Sequence, residues 1–114
     1  MKHALLLLAA SLALTAPTFA QQGWDDYDTK LITVSGAIIQ SRYETPNAAI
    51  GVDTPEKMWT VVLAAPSRMA SRGVSADMIS LGRSVIVQGY VSKTDKDEMR
   101  AERITVNGKT FEMR

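Results

Sequence analysis

Apolar and polar positions alternate most regularly between Ser84 and Val106. Val85, Val87 and Val91 fall on one side of a period-two pattern, and Ile86 and Tyr90 on the other. The polar run Lys93–Glu98 interrupts the pattern, and a second strand-like run from Met99 to Val106 follows. This reads as a β-hairpin with a charged loop, whose first arm offers apolar side chains on both faces. Such an arm needs packing partners on both sides, so the rest of the chain is expected to wrap around it.

Upstream, Lys30–Arg42 reads as the first strand. Ile32 and Val34 share a face, and Ile38 returns to it across Gly36. A glycine inside a strand marks a bulge or tight bend, which would let this strand serve two layers. Tyr43–Asn47 is the turn out, with Pro46 ending the ladder. Ala48–Val52 is a short second strand, and Asp53–Glu56 a turn. Lys57–Ala65 is the third strand, with Trp59, Val61 and Leu63 alternating with Met58, Thr60 and Val62; apolar content on both faces predicts burial. The period changes at Pro66–Arg72, where Pro66 suits a first helical position and Arg68 and Arg72 lie one turn apart on the outside. Gly73 is the expected stop. Val74–Leu81 reads as a further helical turn with Ser75 as N-cap and Met78, Ile79 and Leu81 pointing inward. Asn107-Gly108 predicts a type I′ turn that folds Lys109–Met113 back on Ile104–Val106.

The order predicts a mostly β fold: a small five-stranded OB-like Greek-key barrel over residues 30–114, with a short helix between strands 3 and 4. An SH3-like barrel is the competing arrangement. No internal repeat or low-complexity segment is present.

The N-terminus changes the picture of where the domain works. Met1-Lys2-His3 is a short basic start, Ala4–Ala16 an uncharged apolar run, and Thr18-Phe19-Ala20 a small-residue cleavage pattern. Residues 1–20 are therefore expected to be a signal peptide cleaved near Ala20, and the protein to be periplasmic. The run is short of the ~20 apolar residues that span a bilayer. Residues 21–29, Q-Q-G-W-D-D-Y-D-T, read as an extended arm pinned by Trp24 and Tyr27. Asp25, Asp26 and Asp28 lack the glycine and terminal glutamate of a calcium loop and read as a solvated face.

After cleavage, twelve basic residues balance twelve acidic ones, because the leader carries only Lys2. A near-neutral domain lacks the electrostatic footprint of nucleic-acid binding. There is no cysteine, and the only histidine, His3, leaves with the leader. That removes imidazole acid–base chemistry, Ser-His and Cys-His nucleophiles, and zinc or copper sites built from His and Cys. No metal and no cofactor is expected.

The segments V-S-G-A-I (34–38), T-P-N-A-A-I (45–50), W-T-V-V-L (59–63), A-P-S-R-M-A-S-R-G (65–73), V-I-V-Q-G-Y (85–90) and R-A-E-R-I-T-V-N-G-K-T-F (100–111) occur in that order. Together they resemble a family of short bacterial exported proteins of unknown function, with the pattern leader, H-H-S, G-x-V, N-P-H-A, W, S-P-x-x-L-x-R-x-G and V-x-G-Y. The resemblance covers nearly all of the mature chain and implies a periplasmic OB-like domain with no established activity. This chain has Q-Q-G-W-D-D in place of H-H-S, and Asn47 in place of the histidine of N-P-H-A. A metal held by those histidines in relatives would not be held here.

Five residues are candidates for ligand binding. Trp59 could stack a ligand on strand 3, or simply pack in the core by its alternation with Val61 and Leu63. Tyr43 and Asn47 leave strand 1 where a groove mouth would lie, as turn residues of these types also do without a ligand. Arg68 and Arg72 could clamp a carboxylate or phosphate, or form a solvated helix face. Asp95, Asp97 and Glu98 sit in a hairpin loop, which predicts no desolvated pocket to tune an acid and base. Arg100 and Arg103, interspersed with Glu98 and Glu102, read as cross-strand pairs. The favoured function is a non-catalytic exported module binding a small ligand, a peptide or an envelope protein. The alternatives are an enzyme or enzyme subunit using carboxylates and arginines alone, and an oligonucleotide-binding OB domain.

Overall fold

In the computed structural model, which describes residues 23–114, the first strand is shared between two neighbours. Strand β1 (Ile32–Arg42) pairs antiparallel with β4 (Ser84–Val91) through Ile32–Ala37, and with β2 (Ala49–Asp53) through Ala37–Arg42. The handover falls at Gly36 and Ala37, as the glycine predicts. A Cβ on Gly36 would lie 2.0 Å from the carbonyl oxygen of Asp53, so only glycine allows the approach.

From β2 the ladder continues antiparallel to β3 (Met58–Val62). β3 then runs parallel to β5 (Glu98–Val106) over Thr60–Val62, and β5 returns antiparallel to β4. The ring β1-β2-β3-β5-β4 is closed. Helix α1 (Pro66–Ser71) and a 3-10 turn at Ala76–Ile79 lie between β3 and β4. This strand order, closed by a parallel β3–β5 seam, is the OB arrangement and not the SH3-like one. The Asn107-Gly108 turn has φ of 54° and 77°, as a type I′ turn requires, and sends β6 (Lys109–Glu112) back along β5 outside the ring. No helix among the described residues is long and apolar enough to cross a membrane. The expected signal peptide, with Gln21 and Gln22, lies outside the described residues.

Inside the ring, Ile38, Val61, Leu63, Val87, Met99 and Ile104 are fully buried, and Met69 of α1 and Ile79 of the 3-10 turn join the same core. Each such side chain contributes about 1.5–3 kcal/mol by leaving water. The outer face is different. Ile86 is 44 % exposed, Met58 is also exposed, and Leu81, expected to point inward, is 66 % exposed. The alternation on β3 and β4 is real, but a barrel wall has one inside; the sequence overstates two-sided burial wherever nothing crosses the outer face.

Two irregularities complete the ring. Ile39 is an extra residue between the pairs Ile38–Val52 and Gln40–Gly51. Glu102 is an extra residue between Ala101, opposite Gly89, and Arg103, opposite Gln88. At Gly89 a Cβ would stand 2.2 Å from the Arg100 carbonyl oxygen, so this second bulge is built around a glycine.

Candidate ligand-binding cleft beside the N-terminal arm

The arm is more structured than an extended segment. Trp24–Asp26 forms one 3-10 turn, with the Gly23 amide donating to the Asp26 carboxylate at 3.0 Å. Tyr27 then makes a single antiparallel bridge with Ser92. The Asp28 amide donates to the Val91 carbonyl at 2.8 Å, and the Lys93 amide to the Asp26 carbonyl at 2.9 Å.

Tyr27 is 2 % exposed, and its hydroxyl donates to Oε2 of Glu98 at 2.5 Å. Glu98, expected in a solvated loop, is only 5 % exposed. Burial raises its carboxyl above the ordinary value, Asp95 adds to the rise, and the hydrogen bond from Tyr27 opposes it. Burial, then the bond to Glu98, raises the Tyr27 phenol as well, so that it keeps its proton and donates. The expectation of no desolvated carboxylate therefore fails at Glu98, because the arm covers the end of the loop. Asp95 and Asp97 stay exposed, Asp97 paired with Lys57 at 3.3 Å.

Trp24 stands between charged neighbours. The guanidinium carbons of Arg100 and Arg114 each lie 4.3 Å from its ring centroid, and the Tyr90 ring meets it edge-on at 6.0 Å. Arg100 is half-buried; burial lowers its guanidinium below the usual value and the charge of Arg114 adds to that, with Tyr27 opposing. Arg100, expected simply as a cross-strand partner of the glutamates, is thus also part of a cation–π stack. Arg103 does pair across strands, with Glu112 at 3.0 Å, and Glu102 takes Arg114 at 3.4 Å.

These residues wall a cleft of about 380 Å³, lined by Trp24, Asn47, Arg68, Arg100, Met113 and Arg114 over a floor of Ala64 and Ala65. Asn47 reaches it because Ala48 exchanges main-chain hydrogen bonds with Ala64 and Leu63, both at 2.8 Å, which extends the β2–β3 ladder to the cleft. Arg68 reaches it from α1. A neighbouring cavity of about 570 Å³ shares Ala65 and Arg68 and adds Ser67, Ser71 and Arg72. There Arg72 Nη2 donates to the Arg114 main-chain oxygen at 2.8 Å. On the other side of Trp24, a hollow of about 320 Å³ carries the exposed Asp25 and Asp28. A wider depression of about 650 Å³ beside Gly36 and Ile86 has no charged side chain.

Of the five candidates, Asn47 and Arg68 meet in one cleft and Arg72 lies in the adjoining cavity. Tyr43 and Trp59 stand elsewhere. The Tyr43 hydroxyl donates to the Val74 carbonyl at 2.7 Å, tying the turn after β1 to the segment after α1. Trp59 is 7 % exposed, with Lys57 Nζ 4.4 Å from the ring centroid, which leaves little indole for a ligand to stack on. Trp24, Arg100, Met113 and Arg114 were not legible as cleft residues, although the two aromatics of the arm were legible as anchors.

Arginine, asparagine and indole can hold and orient a ligand, but none of them exchanges a proton near neutral pH. Among the described residues, no group of three or more His, Cys, Asp or Glu could hold a metal ion.

No protein-family model matches the sequence, and no curated protein matches it significantly. Solved structures do share the fold. TiaS lacking its ZRD, in complex with agmatine, superposes with a TM-score of 0.55 at 15 % identity, over 74 % of this chain and 26 % of TiaS. TiaS in complex with a tRNA and ATP gives 0.51 at 16 % identity, over 68 % of this chain and 18 % of TiaS. The chain thus spans about a quarter or less of these proteins, and the likeness is one of barrel topology.

Proposed function

We propose that this chain is a non-catalytic, exported periplasmic binding module, and that the cleft beside Trp24 seats a small molecule, a peptide or a segment of an envelope protein. The observation that carries the reading is the composition of the cleft: guanidinium groups, an amide, an indole and a methionine converge, with no aspartate or glutamate in its lining. Glu98, whose environment raises its pKa, is hydrogen-bonded to Tyr27 and lines none of the cavities described above. A tuned acid without access to a concavity argues against the enzymatic alternative.

The oligonucleotide alternative draws on the barrel and on TiaS, whose structure with a tRNA shares the topology. Near-balanced charge speaks against it for this chain. The test has two parts. Cell fractionation and intact mass should find the protein in the periplasm without residues 1–20. A pull-down from envelope extract should then recover a partner or ligand that the Arg68→Ala variant recovers poorly. A cytoplasmic protein with its leader attached, or recovery indifferent to Arg68, overturns the reading.

A further inference from the structure

We infer that the cleft at Trp24 is a site for a small oxyanion with two or more negative charges, gripped by Arg68, Arg100 and Arg114. This inference rests on the reading of that cleft as the binding site and adds the class of ligand. Three guanidiniums line one concavity, and no aspartate or glutamate shares the lining. Glu102, the carboxylate that meets Arg114, lies at 3.4 Å, beyond the length of a strong charge-assisted bond.

The charges also crowd each other. Arg100 and Arg114 both stand 4.3 Å from the Trp24 centroid, and the second charge disfavours the first. Arg100 is half-buried, so its field is less screened than that of a surface side chain. An anion at the edge of the indole, facing these groups and Arg68 in the cleft, would offset that repulsion. The chain has no general excess of positive charge to explain the cluster, since its basic and acidic residues nearly balance.

Size and lining narrow the ligand. At about 380 Å³ the cleft lies at the low end of the ~300–1,000 Å³ range of small-molecule sites. Guanidinium forks match carboxylate and phosphate oxygens, while Met113, Ala64 and the Trp24 ring offer apolar surface for a short carbon frame. A phosphate-type and a carboxylate-type anion share this chemistry, and the probes separate them.

The experiment follows the Trp24 indole N–H resonance of the purified protein, assigned against a Trp59→Phe variant. The probes are pyrophosphate, succinate, uncharged 1,4-butanediol and cationic putrescine. Saturable shifts with pyrophosphate or succinate alone, weakened at least tenfold by Arg68→Ala and less by Arg68→Lys, support the inference. Whichever anion binds more tightly identifies the oxygen geometry. Arg68 is exposed on α1, so its removal leaves the fold intact. If butanediol or putrescine moves Trp24 and neither anion does, the oxyanion inference is overturned while the cleft remains the binding site. If no probe moves Trp24, the oxyanion inference is overturned, while the reading of the cleft as a binding site is decided by the Arg68-dependent pull-down. Anion binding that ignores Arg68 places the anion elsewhere and overturns the inference too.

Discussion

At Gly36 three strands meet through backbone atoms, with an Asp53 carbonyl where a side chain would have to go. At Tyr27 the arm is held by a buried side-chain hydrogen bond and a few main-chain ones. The first junction has no adjustable part: remove the space and the ring cannot close. The second is made of groups that can be exchanged one at a time. A small barrel can thus keep a rigid wall and still carry a cleft whose walls come from an arm, a helix, β5 and the residues after β6.

The largest response is expected at the rigid junction. Gly36→Val should cost more than about 3 kcal/mol, beyond ordinary overpacking, because the obstruction is backbone and not a movable side chain. Gly36→Ala should already be strongly destabilising, and urea melts report both. A midpoint unchanged by valine, a good strand former, would mean that β1 does not bend as described.

The arm should answer more mildly. Tyr27→Phe removes the donor to Glu98 and is expected to cost about 1.5–3 kcal/mol, the range for hydrogen bonds to charged groups. Hydrogen exchange separates the two junctions further: the Asp28 and Lys93 amides should lose protection before those of β1 and β4. Uniform loss would show arm and barrel opening as one unit.

How legible this was depended on whether a residue's role is local. Strand periods, the Pro66 helix start, the Gly36 bend and the Asn107-Gly108 turn are written in short stretches, and the structure repeats them. Ile86 and Leu81 misled because apolar residues remain exposed wherever no element crosses them. Glu98 and Arg100 misled for the opposite reason. They look like loop and strand charges, and only the docking of Tyr27 and Trp24, far away in sequence, gives them their environment. Asn47 and Arg68 could be named from local pattern, but their meeting with Arg114 depends on how β6 returns.

The smallest expected effect is in pH dependence. The folded pKa of Glu98 lies above its ordinary value of 4.5, so the folded state binds the extra proton. Its contribution to stability is complete below the ordinary value and is lost as pH rises through the raised one. Glu98→Gln keeps an acceptor for Tyr27 but does not ionise. In urea melts between about pH 4 and about pH 7, the interval around carboxylate titration, the midpoint should fall for the parent relative to this variant. Parallel profiles would mean that Glu98 titrates as a solvated side chain.

The extra residue at Glu102 has a consequence for what changes the chain can survive. Before it, Met99 and Ala101 point inward; after it, Ile104 and Val106 do, a step of three in place of two. Glu102 is thus a change of parity written into β5. A one-residue slip that drew Glu102 into the ladder opposite Gln88 would deliver Arg103 and Thr105 to the interior and Ile104 and Val106 to water. Deleting Glu102, by contrast, leaves Arg103 opposite Gln88 and Ile104 and Val106 still inside. Loss of Glu102 removes one ion pair and the bulge, whereas flattening the bulge with Glu102 kept would exchange the inside and outside of half a strand. What is guarded here is thus the irregularity itself, because the strand keeps its interior with the bulge or without the residue, but not with the residue and without the bulge.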